Sequence, residues 1–182
     1  MSQNEYITSD IHFSHKRIMD FCPDTRPYSS VEEMNESLVE AWNTTVQPGD
    51  IIWHLGDFSF GSKESCENIL KQLNGQKHFI LGNHDGGISH ILKKYGWVGH
   101  YKELKRFDYK VCLFHFPMRE WHQVHRGSLH FYGHCHGTLE GRGRSMDVGW
   151  DAHGRILSME EAVNMVKDIP IFLENGMHGT ER

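Results

Sequence analysis

The sequence predicts an α/β fold: a four-layer α/β/β/α sandwich of two mixed sheets flanked by helices. Two observations carry this. Strand-like and helix-like runs alternate up to Gly96, and mostly strand-like runs follow, which is the pattern of stacked layers around a core. Short polar segments rich in Asp, Asn and His also come directly after apolar runs, and open α/β sheets place their active sites at such strand ends.

The elements can be justified in order. Tyr6-Ile7-Thr8 reads as the first strand. From Ser30, a good N-cap, Val31, Met34, Leu38 and Trp42 recur at helical spacing, and Gln47-Pro48-Gly49 ends the run. Asp50 shapes the turn into a second strand, Ile51-Ile52-Trp53. A helix from Ser62 carries Cys66, Ile69, Leu70 and Leu73 until Asn74-Gly75 stops it. His78-Phe79-Ile80-Leu81 gives a third strand and 88–95 a shorter helix. Strands are then expected at 98–104, 109–114, 129–132 and 145–148, and a last helix at 159–169 with Ala162, Val163 and Val166 on one face. Trp42 and Trp53 read as core. Residues 1–174 are expected to form one domain, and the polar, glycine-containing 175–182 a loosely ordered tail.

Composition narrows the function classes. A chain of 182 residues can bury a proper core, and none of its apolar stretches approaches a membrane span. Met1-Ser2-Gln3-Asn4-Glu5 lacks the basic and apolar regions of a signal peptide. Cys22, Cys66, Cys112 and Cys135 show neither C-x-x-C pairing nor a disulfide framework, so a reduced, cytoplasmic protein is expected. The net charge of −5 provides no field to gather long nucleic acid. A small phosphorylated substrate or nucleotide remains compatible, because bound cations would dominate the local charge.

Five pieces then stand out in order: Asp10-Ile11-His12, Gly56-Asp57, Gly82-Asn83-His84-Asp85, His115, and Gly133-His134-Cys135-His136. Any one alone is weak in a chain with 15 histidines. All five, each behind a candidate strand, are a joint signal for metal binding. Gly56, Gly82 and Gly133 suit tight turns that bring backbone close to a ligand. Side chains two apart on a strand share a face, so Asp10 and His12 are expected to grip one ion. Carboxylate and amide oxygens mixed with imidazoles suit Mn²⁺, Fe²⁺, Zn²⁺ or Ni²⁺ better than Ca²⁺.

The order and spacing resemble the calcineurin-like metallophosphoesterases, whose pattern runs D-x-H, G-D, G-N-H-[DE], H, G-H-x-H. The resemblance covers about residues 5–150, with every ligand position filled. Thr25-Arg26-Pro27, His54-Leu55-Gly56-Asp57-Phe58 and Asp147-Val148-Gly149-Trp150-Asp151 carry a closer similarity to a small, cap-less bacterial or phage branch. The resemblance implies the same layered fold and two divalent transition metal ions, manganese foremost. Asp10, His12, Asp57 and His136 would bind the first, and Asp57, Asn83, His115 and His134 the second, with Asp57 bridging. Such a pair yields a bridging hydroxide and polarises a phosphoryl group. It makes Asn83, His84 and Asp85 the catalytic group: His84 would protonate the leaving alkoxide, and Asp85 would orient that imidazole. It also sets Asp147 and Asp151 near the ligand loops.

Substrate contacts are less defined. Arg26, in a proline-bounded loop, and Arg119, after His115, are candidate phosphate clamps. His15, Lys16 and Arg17 would sit at the rim, and Trp121, His122 and His125 would line a pocket or belong to the core. Cys135 reads as a spacer pointing away from the ligands. The expected activity is hydrolysis of a phosphoester, phosphodiester slightly ahead of phosphomonoester. A nuclease or nucleic-acid end-processing enzyme is the alternative. A catalytically silent scaffold is the reading from another class, and it would show lost ligands.

Overall fold

In the computed structural model, which describes residues 3–172, nine strands pair into two sheets. In chain order the strands are β1 (Glu5–Thr8), β2 (Ile51–His54), β3 (Gln76–Ile80), β4 (Gly96–Gly99), β5 (Tyr101–Arg106), β6 (Tyr109–Phe114), β7 (Leu129–Tyr132), β8 (Ser145–Asp147) and β9 (Leu157–Ser158). The helices are α1 (Ile18–Phe21), α2 (Val31–Thr45), α3 (Lys63–Gln72), α4 (Ser89–Leu92), α5 (Trp150–His153) and α6 (Met159–Val166). The first sheet has the order β4-β3-β2-β1-β9, parallel except for β9; the second has the order β5-β6-β7-β8, with β5 antiparallel to β6.

Period-two alternation divides the core. Ile52 and Phe79 point to one side of the first sheet, where Met34, Leu38 and Trp42 of α2 and Ile69 and Leu70 of α3 cover them. Ile7, Trp53 and Ile80 point to the other side, into a second cluster with Val111, Leu113, Leu129 and Phe131 of the facing sheet. Met159, Ala162, Val163 and Val166 of α6 complete that inter-sheet core. The far side of the second sheet has a thinner cover, in which Trp121 and Val124 pack on Cys112.

Ser30 caps α2 as expected, and Ser62 and Ser158 cap α3 and α6: the three hydroxyls accept from the backbone N–H groups of Glu33, Ser65 and Glu161. Asp50 shapes its turn by accepting from the N–H groups of Asn4 and Gln47. Trp42 and Trp53 are both buried.

Three elements differ from expectation. The run 98–104 is two strands: β4 ends at Gly99, β5 begins at Tyr101, and they lie on edges of different sheets. A continuous β-rich run cannot show in sequence that the chain changes partners. The helix expected at 88–95 has only Ser89–Leu92 in α-helical form, and α6 stops at Val166. The expected tail at 175–182 lies outside the described residues.

Candidate metal centre

The ends of the parallel strands β1, β2 and β3 deliver the first three motifs to one edge of the first sheet. His115 and 133–136 follow β6 and β7 of the second. Asp10, His12, Asp57, His134 and His136 all have left-handed backbones, with φ between 49° and 70°. Non-glycine residues adopt this region at a cost, and such outliers collect at functional sites. The conformation corrects one expectation: Asp10 and His12 converge as loop residues beyond the end of β1, not by alternation along it. Glycine is required where loops touch. A Cβ on Gly82 would lie 2.2 Å from Asp57 Oδ1, and one on Gly133 would lie 2.2 Å from Asp10 Oδ2.

The predicted ligands form two groups of donor atoms within 4.8 Å of one another, Asp10, His12 and His136, and Asp57, His115 and His134; a third group, Cys22, His136 and Asp151, shares His136 with the first. Asp57 Oδ2 lies between the first two, 3.9 Å from His12 Nε2 and 3.6 Å from His115 Nε2. Asn83 Oδ1 joins the second group, 2.9 Å from His115 Nε2 and 3.0 Å from His134 Nδ1. All seven sequence-predicted ligands are therefore gathered at one place.

The donor set fits divalent cations. Asp10 Oδ1 and both ring nitrogens of His12 are buried without a hydrogen-bond partner. Buried polar atoms left so cost about 1–3 kcal/mol each, and a cation would satisfy them. Burial acts to raise the Asp10 pKa, but the His12 ring, 3.6 Å away, and the field of His115 hold it at about 2, so the group is a carboxylate. Other contacts aim the ligands. His115 Nδ1 donates to the Leu55 carbonyl at 2.8 Å, which turns Nε2 toward Asp57. His136 Nδ1 lies 2.7 Å from Asp151 Oδ2; burial lowers the pKa of this imidazole, and the Asp151 carboxylate more than compensates, giving a net rise.

Two site residues take other places than expected. Arg26 is buried, donating to both oxygens of Asp151 and to the carbonyls of Asp10 and Ile11, so its guanidinium cannot clamp substrate. Asp85 does not orient His84. Its carboxylate accepts from the N–H groups of Asp57, Phe58 and Gly82 and fastens the second and third motif loops together. A carboxylate next to a histidine in sequence carries no record of whether it turns toward the imidazole or toward backbone.

His84 remains at the centre, half exposed, with Nε2 3.9 Å from Asp57 Oδ2. Phe60, which no motif marks, packs 4.5 Å from its ring and stacks on His15 at 3.9 Å. Phe116 covers His134 and His115 at 4.7 and 4.8 Å. Lys16, Arg17 and Arg119 are exposed. Trp121 is core, and His122 is exposed and paired with Glu103. Cys135, expected to point away, lines a cavity with His134 and His136. Asp147 accepts from the N–H groups of Gly137 and Gly149 and so ties the last ligand loop to the start of α5.

Comparison with known proteins shows the family. Residues 6–112 match the calcineurin-like phosphoesterase family. The chain is 35% identical over 133 residues to an uncharacterized protein of Methanocaldococcus jannaschii, spanning 72% of this chain and 68% of that one. It is 30% identical to the gene 66 protein of Mycobacterium phage L5, spanning 96% and 99% of the two chains. A protein of unknown function from Aquifex aeolicus shares the fold, with a TM-score of 0.72 at 22% identity over 91% of this chain and 100% of that one. With a family match over most of its length and the ligand motifs intact, the chain belongs to the calcineurin-like phosphoesterases and is a metal-dependent phosphoesterase.

Proposed function

We propose that the centre holds two divalent transition metal ions, manganese foremost, and that the protein hydrolyses phosphodiesters of small molecules or nucleotides. The observation that carries this reading is the position of Asp57 Oδ2 between two ligand groups, within 4 Å of a histidine of each. On this reading Asp10, His12 and His136 hold one ion, Asn83, His115 and His134 hold the other, and Asp57 touches both. When bound, such a pair activates water near neutral pH and offsets charge on a phosphoryl group.

The protein's own groups do the rest. Only Asp10 and Asp57 among the seven ligands are anionic, so the loaded centre stays positive toward a phosphate. His84 is exposed to an incoming ester and can deliver a proton to the departing alkoxide. The backbone N–H of His84 donates to Asp57 Oδ1 at 2.9 Å, so His84 is fixed to the same carboxylate that the ions would share. Arg119, exposed beyond Phe116, is the remaining candidate for a phosphate clamp. The nuclease alternative gains little from the surface: Arg106 is bound to Glu5, and the net charge is −5.

The test is turnover of bis(p-nitrophenyl) phosphate and p-nitrophenyl phosphate by chelator-stripped protein reloaded with Mn²⁺. Metal-dependent hydrolysis that favours the diester and is lost in Asp57→Asn supports the reading. Preference for the monoester refutes the diesterase assignment, and activity indifferent to metal refutes the centre.

A further inference from the structure

Beside the ligands lies a cavity of about 650 Å³, within the range of pockets that take small organic ligands. His134 and His136 are among its lining residues, so it adjoins the candidate metal centre. Its apolar lining comes from Ile18 and Phe21 of α1 and from Pro23. Phe21 is 59% exposed, with the Arg17 guanidinium carbon 5.1 Å from its ring centre; Arg17 does not line the cavity, and Phe21 does.

The polar lining states what the cavity does not bind. Among the described residues no Lys or Arg lines it, and its charged groups other than histidine are Asp24 and Asp151. Asp151 is already engaged by Arg26 and His136. A second phosphate placed here would meet carboxylates and no cation of the lining; Arg17 packs on Phe21 outside it. An uncharged flat group would find an aromatic wall, with the Asp24 carboxylate and the Thr138 hydroxyl to hydrogen-bond its edge.

The position also distinguishes the two ester substituents. A leaving group must sit beside His84 to receive its proton, and His84 does not line this cavity. It packs instead on Phe60 and lies near His12, with ring centres 4.5 and 6.1 Å away. The cavity is therefore placed for the substituent that stays on phosphorus.

We propose that this cavity binds the retained organic group of a phosphodiester, an uncharged flat moiety of nucleoside size stacked on Phe21. The inference rests on the diesterase reading and adds a substrate class to it: phosphodiesters of nucleosides. In the reaction the oxygen of water joins phosphorus, and the P–O bond to the other substituent breaks. That substituent departs with a proton from His84, and the nucleoside leaves the cavity as its monophosphate.

Two esters with the same leaving group test this on the Mn²⁺-loaded protein: thymidine 5′-(p-nitrophenyl phosphate) and methyl p-nitrophenyl phosphate. The wild type should favour the nucleoside ester by about tenfold or more in kcat/KM. Phe21→Ala should reduce that ratio by about tenfold, through KM. Phe107→Ala, an exposed ring on the β5–β6 turn, should leave the ratio in place. A separate readout is saturation-transfer NMR of thymidine 5′-phosphate on metal-free protein: saturation of the base protons by wild type, lost in Phe21→Ala, is the expected result. Equal turnover of both esters, or a ratio untouched by Phe21→Ala, overturns the pocket and leaves the phosphoesterase standing. Turnover of neither ester with any metal overturns the diesterase reading, and the NMR comparison then decides the pocket alone.

Discussion

His136 Nδ1 and Asp151 Oδ2 lie 2.7 Å apart, and the same carboxylate receives Arg26 at 2.8 and 3.0 Å. Arg26 in turn donates to the carbonyls of Asp10 and Ile11 at 2.7 and 2.8 Å. One buried ion pair therefore joins the last ligand of the centre to the loop that carries the first. Removing Asp151 would release the His136 ring and leave a buried guanidinium without its counter-charge. Asp151→Asn should weaken Mn²⁺ binding about 10–100-fold, measured by titration calorimetry.

Arg26 belongs to this frame and not to the substrate. Arg26→Ala should destabilise the fold by about 3–5 kcal/mol, because it strands a buried carboxylate. Urea denaturation measures this. A variant of unchanged stability and raised KM would restore Arg26 as a substrate clamp.

Gly82 meets Asp57 so closely that any side chain must displace a ligand. Gly82→Ala should lose metal affinity and cost about 1–3 kcal/mol of stability, whereas Gly86→Ala, where a Cβ meets nothing within 4 Å, should do neither. Metal content after desalting, together with thermal melts, distinguishes the two variants.

His84→Ala should keep its metal and lower kcat by about 10²–10⁴ on esters with poor leaving groups. The loss should shrink with p-nitrophenolate, which departs without a proton. An equal loss for all leaving groups would assign His84 a role other than proton donation.

His130 gives the protein an acid-side weakness away from the ligands. It is fully buried; Nδ1 lies 3.1 Å from the Cys112 carbonyl, and Nε2 accepts from the Met118 N–H at 3.2 Å. The neutral ring suits both contacts, and burial pushes its pKa from 6.5 down to about 4. Below pH 6.5 the unfolded chain takes up a proton that the folded one refuses. Stability should therefore fall by about 1.4 kcal/mol per pH unit from this group, levelling off near pH 4. His130→Gln should remove close to one proton from that slope in urea melts at pH 5 and 7.

The grouping of the seven candidate ligands was legible in the sequence because each motif pairs a donor with a glycine or a strand end, and both leave local marks. The helices with apolar spacing, and the Ser30 cap of the first long one, were legible for the same reason. What stayed hidden depends on contacts between distant segments. Asp85 and Arg26 are polar residues whose partners are backbone atoms from other loops, and no local pattern encodes those partners. The division of 98–104 between two sheets is likewise a matter of pairing, since Gly99 and Tyr101 differ in neighbours rather than in β propensity. Phe60 and Phe21 carry no motif; only their exposure beside the site marks them.

The central claim is a pair of ions sharing Asp57. The most direct measurement is manganese counting joined to low-temperature EPR on stripped protein reloaded with Mn²⁺ and desalted. The account predicts two ions per chain with a spin-coupled spectrum, and fewer than two, uncoupled, in Asp57→Asn. A single ion per chain, or two that show no coupling, would contradict it.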